Sequence, residues 1–124
     1  MTVKTAVTMS DAEHLLAPKG MLIAGEWVTE GSGQLVHINP STGREHPPLP
    51  LAGAPEVERA VAAARSAFGG WRAMPVDARR DIMLRLAGLI RQHAGELAML
   101  TTLDNGAPPR NAMSGVTAAI DHFT

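Results

Sequence analysis

Pro55-Glu56-Val57-Glu58-Arg59-Ala60-Val61-Ala62-Ala63-Ala64-Arg65-Ser66-Ala67-Phe68 is the stretch on which the fold turns. Val57, Ala60, Val61, Ala64 and Phe68 recur at i, i+3, i+4, i+7 and i+11, one stripe of a helix. Pro55 suits a first helical turn, and Gly69-Gly70 are expected to stop the helix, leaving Trp71 in a connection. This predicts a helix over 56–68.

Upstream the period is shorter. Met21-Leu22-Ile23, then Ala24-Gly25, then Glu26-Trp27-Val28 reads as strand, tight turn, strand, with glycine supplying the positive φ of a hairpin turn. Gly31-Ser32-Gly33 reads as a second turn and Gln34 to Ile38 as a third strand. Asn39-Pro40-Ser41-Thr42-Gly43 is a loop. Pro47, Pro48 and Pro50 offer no N–H to a ladder, so any strand there is an edge or is broken. The strand-rich part is therefore 21–51.

Downstream the helical period persists. A second helix is expected over 76–93, with Ala78, Ile82, Leu86, Leu89 and His93 on one face and Met83 and Ile90 beside it. Arg79, Arg80, Arg85 and Arg91 keep their heads in water, and Gly88 suggests the close approach of another backbone. Gly95 marks a break before a third helix over 96–104, with Leu97, Leu100 and Leu103 inward. Gly106 is placed to end it and Pro108-Pro109 to prevent its continuation. A fourth helix over 110–123 carries Ala112, Met113, Val116, Ala119, Ile120 and Phe123 on its stripe. No glycine, proline or polar cap closes it, which reads as a truncation. In residues 1–20, a poorly defined extension, Ser10 is placed to cap a short helix through 11–16.

Composition bounds the function. The 124 residues, 45% apolar and 19% charged, suit one globular domain at most. Eleven basic against twelve acidic residues call for neither nucleic acid nor an anionic membrane. No run approaches the roughly 18 apolar residues of a membrane span, and residues 1–20 lack a signal-peptide core, so a cytoplasmic location is expected. There is no cysteine, hence no disulfide and no thiolate metal site. His14, His37, His46, His93 and His122 have no metal-ligand spacing, and Asp121-His122 point apart on a helix.

Several segments, in order, resemble the N-terminal part of the aldehyde dehydrogenase superfamily. They are Ile23-Ala24-Gly25-Glu26-Trp27, Ile38-Asn39-Pro40-Ser41-Thr42-Gly43, 57–68 with Trp71, 79–93, Leu103-Asp104-Asn105-Gly106 and Ala119-Ile120-Asp121-His122-Phe123. The resemblance implies an α/β fold: strands plus four helices of a truncated, Rossmann-related architecture, residues 21–124 being part of its cofactor-binding domain. It implies a complete enzyme that oxidises an aldehyde to a carboxylic acid with NAD or NADP, as a homo-oligomer. In similar enzymes a cysteine thiolate attacks the aldehyde, hydride passes to the nicotinamide and a glutamate activates water.

None of that apparatus maps onto these residues. The thiolate, its asparagine partner, the glutamate and the phosphate-binding glycines all lie later in similar enzymes, so Asn39, Asn105 and Asn111 are not the oxyanion donor. Gly31-Ser32-Gly33 lacks the flanking elements of a dinucleotide loop. No catalytic or cofactor-binding residue is assigned, and the chain alone is expected to be inactive, to bind no cofactor and to self-associate. The resemblance does imply that Asp104 and the backbone carbonyl of Ile38 help bind a monovalent cation, for which oxygen ligands are suited. It also places Ser114 and Ala118 near a wall of the substrate entrance. Ala107, where lysine is usual, and His46-Pro47-Pro48, which interrupts a normally regular strand, depart from the pattern. The competing reading is a non-catalytic interaction module derived from that family. The reading frame beyond codon 124 separates the two: a downstream cysteine and glycine-rich loop favour the fragment.

Overall fold

The structure, a computed structural model, describes residues 20–124; the short helix expected over 11–16 lies outside them. The described residues fall into two compact units. The first comprises 20–38 and 45–79, and the second Asn39–Arg44 and Arg80–Thr124.

The first unit opens on an antiparallel hairpin, β1 (Met21–Ile23) paired with β2 (Glu26–Val28) in the register Met21 to Val28, Leu22 to Trp27 and Ile23 to Glu26. Its two-residue loop holds Ala24 at φ 55° and Gly25 at φ 85°. Positive φ at both positions is the turn whose twist matches the strands it joins. Glycine adopts it freely, whereas Ala24 carries the Cβ penalty of the left-handed region. Asparagine tolerates that region. Ala24→Asn is therefore expected to stabilise the hairpin by about 0.5–1 kcal/mol, read as slower amide hydrogen exchange over 21–28. Unchanged or faster exchange there would contradict the turn.

A second ladder pairs β3 (Gly33–Leu35) with β4 (Leu49–Leu51), Gln34 opposite Pro50. Among the described residues each strand has one partner, so the missing N–H of Pro50 falls where an edge tolerates it. The third strand is shorter than the sequence suggests. After Leu35 the pairing lapses, and Ile38 returns only as an isolated bridge to Glu45. Beside that bridge His46 N–H donates to the His37 carbonyl at 2.8 Å, and the two imidazoles stack with centroids 4.9 Å apart.

Helix α1 (Ala54–Ala73) begins where expected but runs through Gly69-Gly70 and includes Trp71. Two glycines cost about 1 kcal/mol each relative to alanine, which is too little to break a helix already propagating over four turns. It ends at Met74, whose N–H donates to the Trp71 carbonyl at 3.3 Å, just before Pro75. Its start is held by Glu56, which accepts from Gly53 N–H at 2.7 Å and from the Ser32 hydroxyl at 2.8 Å. Gly53 has no side chain to reciprocate, so only the acidic half of a capping box exists. Those donors, the Gly53 amide first, hold the Glu56 carboxyl below its ordinary range. β1 lies against α1, and Ile23 is buried.

The second unit contains most of α2 (Val76–Gln92), with α3 (Ala94–Asn105) and α4 (Pro109–His122). Its core is Ala87, Ala98, Ala112, Val116 and Ile120, with Ile90, Ala94, Ala107 and Phe123 packed around it. Ala112, Val116 and Ile120 sit on the expected stripe of α4. On α2 the phase differs: Ala87 is buried, while Leu86 and Leu89 are exposed. Ala87, rather than either leucine, joins the buried cluster with Ala98 and Ala112. Gly95 lies inside α3 rather than breaking it, and His93, exposed, precedes that helix with Nδ1 2.8 Å from the Glu96 carboxylate. Among the described residues nothing approaches the missing Cβ of Gly88 within 4 Å. The last helix is not uncapped, because the Thr124 hydroxyl donates to the Ile120 carbonyl at 2.8 Å.

Candidate functional site

The residues singled out by the sequence occupy two loops and one helix start. The first loop is Asn39–Arg44. Asn39 is buried, and its Oδ1 accepts from Ser41 N–H at 2.9 Å and Thr42 N–H at 3.1 Å. Its backbone N–H donates to the Arg44 carbonyl, and its own carbonyl accepts from Gly43 N–H, both at 2.8 Å. Four hydrogen bonds thus lock one turn, which is the reason for asparagine followed by proline, serine and threonine. Asn39 thus holds its own loop.

The second is the corner after α3. Gly106 adopts φ 77° and donates its N–H to the Thr102 carbonyl at 2.9 Å, the left-handed stop expected of it. A Cβ built there would lie 3.0 Å from Pro40 Cγ, so the corner and the Asn39–Arg44 loop meet at this glycine. The Asn105 side chain accepts from Ala107 N–H at 2.9 Å. Asn105, like Asn39, therefore serves its own loop.

Asp104 is exposed in the last turn of α3, a turn that carries no basic residue. Backbone carbonyls at a helix C-terminus concentrate negative potential, which ordinarily favours lysine or arginine there. A carboxylate adds to that potential. The combination raises attraction for a cation. Ile38, whose carbonyl is the other oxygen singled out, stands in the first unit, at its bridge to Glu45; Asp104 belongs to the second.

The third place is the start of α4. The Ser114 hydroxyl donates to the Arg110 carbonyl at 3.0 Å and is occupied within the helix, and Ala118 is exposed. An open apolar groove runs over α3 and α4, lined by Ile90, Leu97, Leu100, Thr101, Asn111 and Val116 among others. It offers shape and little chemistry. Among the described residues no three histidine, cysteine or carboxylate side chains are placed to hold a metal ion, and none of their helices is long and apolar enough to cross a membrane.

Two arrangements escaped the sequence reading. The stacked His37 and His46 belong to a bridge that the prolines obscured. The Glu56 clamp was signalled by acid three residues after Gly53, but its partner Ser32 is distant in sequence.

Comparison with known proteins supplies what the geometry lacks. The family model described as "Aldehyde dehydrogenase family" matches residues 27–124. Malonate-semialdehyde dehydrogenase 3 of Geobacillus kaustophilus is 41% identical over 100 residues, covering 80% of this chain and 21% of that protein. Phenylacetaldehyde dehydrogenase of Pseudomonas fluorescens is 39% identical over 109 residues, covering 86% and 21%. The crystal structure of HpcC from Thermus thermophilus superposes with a TM-score of 0.87 at 31% identity, over 93% of this chain and 23% of that one. Betaine aldehyde dehydrogenase from Staphylococcus aureus, in complex with NAD+, gives 0.85 at 28%, over 93% and 24%. The chain thus spans about a fifth to a quarter of the length of these relatives.

Proposed function

The chain belongs to the aldehyde dehydrogenase family, and on that premise we propose that it is the N-terminal segment of an NAD(P)-dependent enzyme oxidising an aldehyde to a carboxylic acid. The observation that supports this most is the combination of a high structural score over nearly the whole chain with coverage of under a quarter of the neighbour. A cytoplasmic location and a homo-oligomeric state belong to the same proposal.

Within that enzyme the segment is scaffold. Its residues do not fit the cofactor: the one glycine-rich turn, Gly31-Ser32-Gly33, leads into β3 and not into a helix whose N-terminus could hold a pyrophosphate. With no cysteine in the chain, nucleophile and cofactor grip both come from elsewhere. What these residues contribute is the locked Asn39–Arg44 turn, the Gly106 corner and the helices between which they sit.

The segment also contributes part of a monovalent cation site, through the Asp104 carboxylate and the Ile38 carbonyl. Support comes from an acidic side chain at a helix end that already carries negative potential. Ile38 offers a backbone oxygen on a residue whose side chain is exposed and apolar.

A chimera tests the whole reading. The matched segment of the Pseudomonas fluorescens phenylacetaldehyde dehydrogenase is replaced by this chain, and oxidation of phenylacetaldehyde is followed. A soluble enzyme within about tenfold of its parent, or roughly 1.4 kcal/mol in the barrier, is the expected result; an insoluble or dead chimera overturns the reading. In the same chimera Asp104→Ala should weaken the dependence of activity on added potassium or sodium. A salt response identical to that of the unsubstituted chimera rules out the cation role.

A further inference from the structure

His37 and His46 have no metal-ligand spacing in the sequence, yet the structure sets them directly opposite one another. Ile38 pairs with Glu45 in an antiparallel bridge, so positions 37 and 46 face each other next to it, with side chains on one side. The backbone holds both. His46 N–H donates to the His37 carbonyl at 2.8 Å, and Pro47 disfavours any but extended backbone at His46. Both residues are half-buried, and their imidazoles stack with centroids 4.9 Å apart and planes 21° from parallel. Packing alone does not call for imidazole here, since any pair of aromatic rings stacks in this way. What two histidines add is ring nitrogen.

We propose that His37 and His46 form a chelating pair for a late first-row divalent metal ion, Cu2+ most tightly, with water completing its coordination. Imidazole nitrogen suits copper, nickel and zinc, and copper heads the divalent series in affinity. An ion held at about 2.0–2.1 Å by two nitrogens sets them no more than about 4.2 Å apart. Directly opposite side chains on an antiparallel pair start from Cβ atoms about 4.5–5.5 Å apart. Rotation about Cα–Cβ and Cβ–Cγ then turns the two ring edges toward one ion, and the stack gives way to the chelate. Water fills the remaining positions, because among the described residues no third histidine, cysteine or carboxylate is placed to join. Two nitrogens separate this site from the Asp104 and Ile38 oxygens, which suit a hard cation. The pair stands or falls independently of the dehydrogenase reading.

The test uses the full chain without an affinity tag, stripped of metal and kept in potassium chloride. One equivalent of Cu2+ is added. Pulsed electron paramagnetic resonance counts the coordinated imidazoles, and competition with glycine gives the affinity; neither measurement requires a monomer. His37→Phe and His46→Phe keep an aromatic ring in the stack and remove its nitrogens, with His122→Ala on α4 as control. Losing even an outer partner of a metal ligand costs about 10–100-fold in affinity, so each Phe variant is expected to bind Cu2+ about tenfold more weakly or worse. The double variant should fall little further, because one imidazole alone holds copper no better than the other histidines of the chain. Two coordinated imidazoles are expected in the parent and the control. The count is taken on the parent itself, so it decides the matter even where a variant fails to fold: one imidazole or none overturns the site. Affinity unchanged in either Phe variant also overturns it, as does an equal loss in His122→Ala.

Discussion

Incubated with a panel of aldehydes and NAD+ or NADP+, the purified chain is expected to form no NAD(P)H above buffer. The reaction of the family needs a thiolate, and the sequence has no cysteine. The helical hydroxyls of Thr101, Thr102, Ser114 and Thr117 each donate to a carbonyl one turn back in their own helix. His93 is paired with Glu96 but has no described hydroxyl beside it to activate. Removing the nucleophile of a serine protease lowers turnover by about 10⁶, and here the cofactor grip is missing as well. The same sample should self-associate in sizing experiments. Leu22, Trp27, Val57, Val61, Phe68, Val76 and Leu89 are each more than half exposed, and exposed apolar side chains favour association. Turnover that survives in this cysteine-free chain would overturn the mechanism, and a sharp melt as a monomer would overturn the association.

What the sequence made legible was set by how local each cause is. The Ala24-Gly25 turn, the Gly106 stop and the α4 stripe depend on residues within a turn of one another, and all three stand in the structure. The end of α1 did not, because Gly69-Gly70 looks decisive locally while the helix responds to the whole of its length. On α2, side-chain size misled. Hydrophobicity alone ranks leucine above alanine, yet Ala87 takes the buried position beside side chains of α3 and α4. The third strand failed for a non-local reason, since its partner is interrupted by Pro47-Pro48. The site was legible only through resemblance. Asp104 has no unusual spacing, and its oddity, an acid at a helix C-terminus, emerges once the helix is known to end at Asn105. Where Asp104 stands relative to the Ile38 carbonyl is a relation between two units, which no local pattern encodes.

Gly106→Val should open the α3–α4 corner more than any other single change at the loops described. Two independent costs meet at this position. At φ 77° a side chain crowds its own backbone, and a β-branched one does so most. The new Cβ would also lie 3.0 Å from Pro40 Cγ. Pro40 cannot retreat easily, because the turn that carries it is closed by the buried Asn39 on four hydrogen bonds. Together the costs come to about 2–4 kcal/mol, enough to speed amide hydrogen exchange across 94–122 by roughly 30-fold or more. The two contributions separate in a cycle. Gly106→Ala carries both in smaller measure, and Pro40→Ala in that background removes only the contact with the ring. The coupling between the two substitutions measures the loop-to-corner contact, and the remainder measures the left-handed backbone. Exchange in Gly106→Val as slow as in the parent would show that the corner needs neither, and zero coupling would show that the Asn39–Arg44 loop does not bear on Gly106. If both costs are found, the two motifs by which this chain most resembles its family, Asn-Pro-Ser-Thr-Gly and Leu-Asp-Asn-Gly, are one structural device, in which the glycine of the second leaves room for the proline of the first.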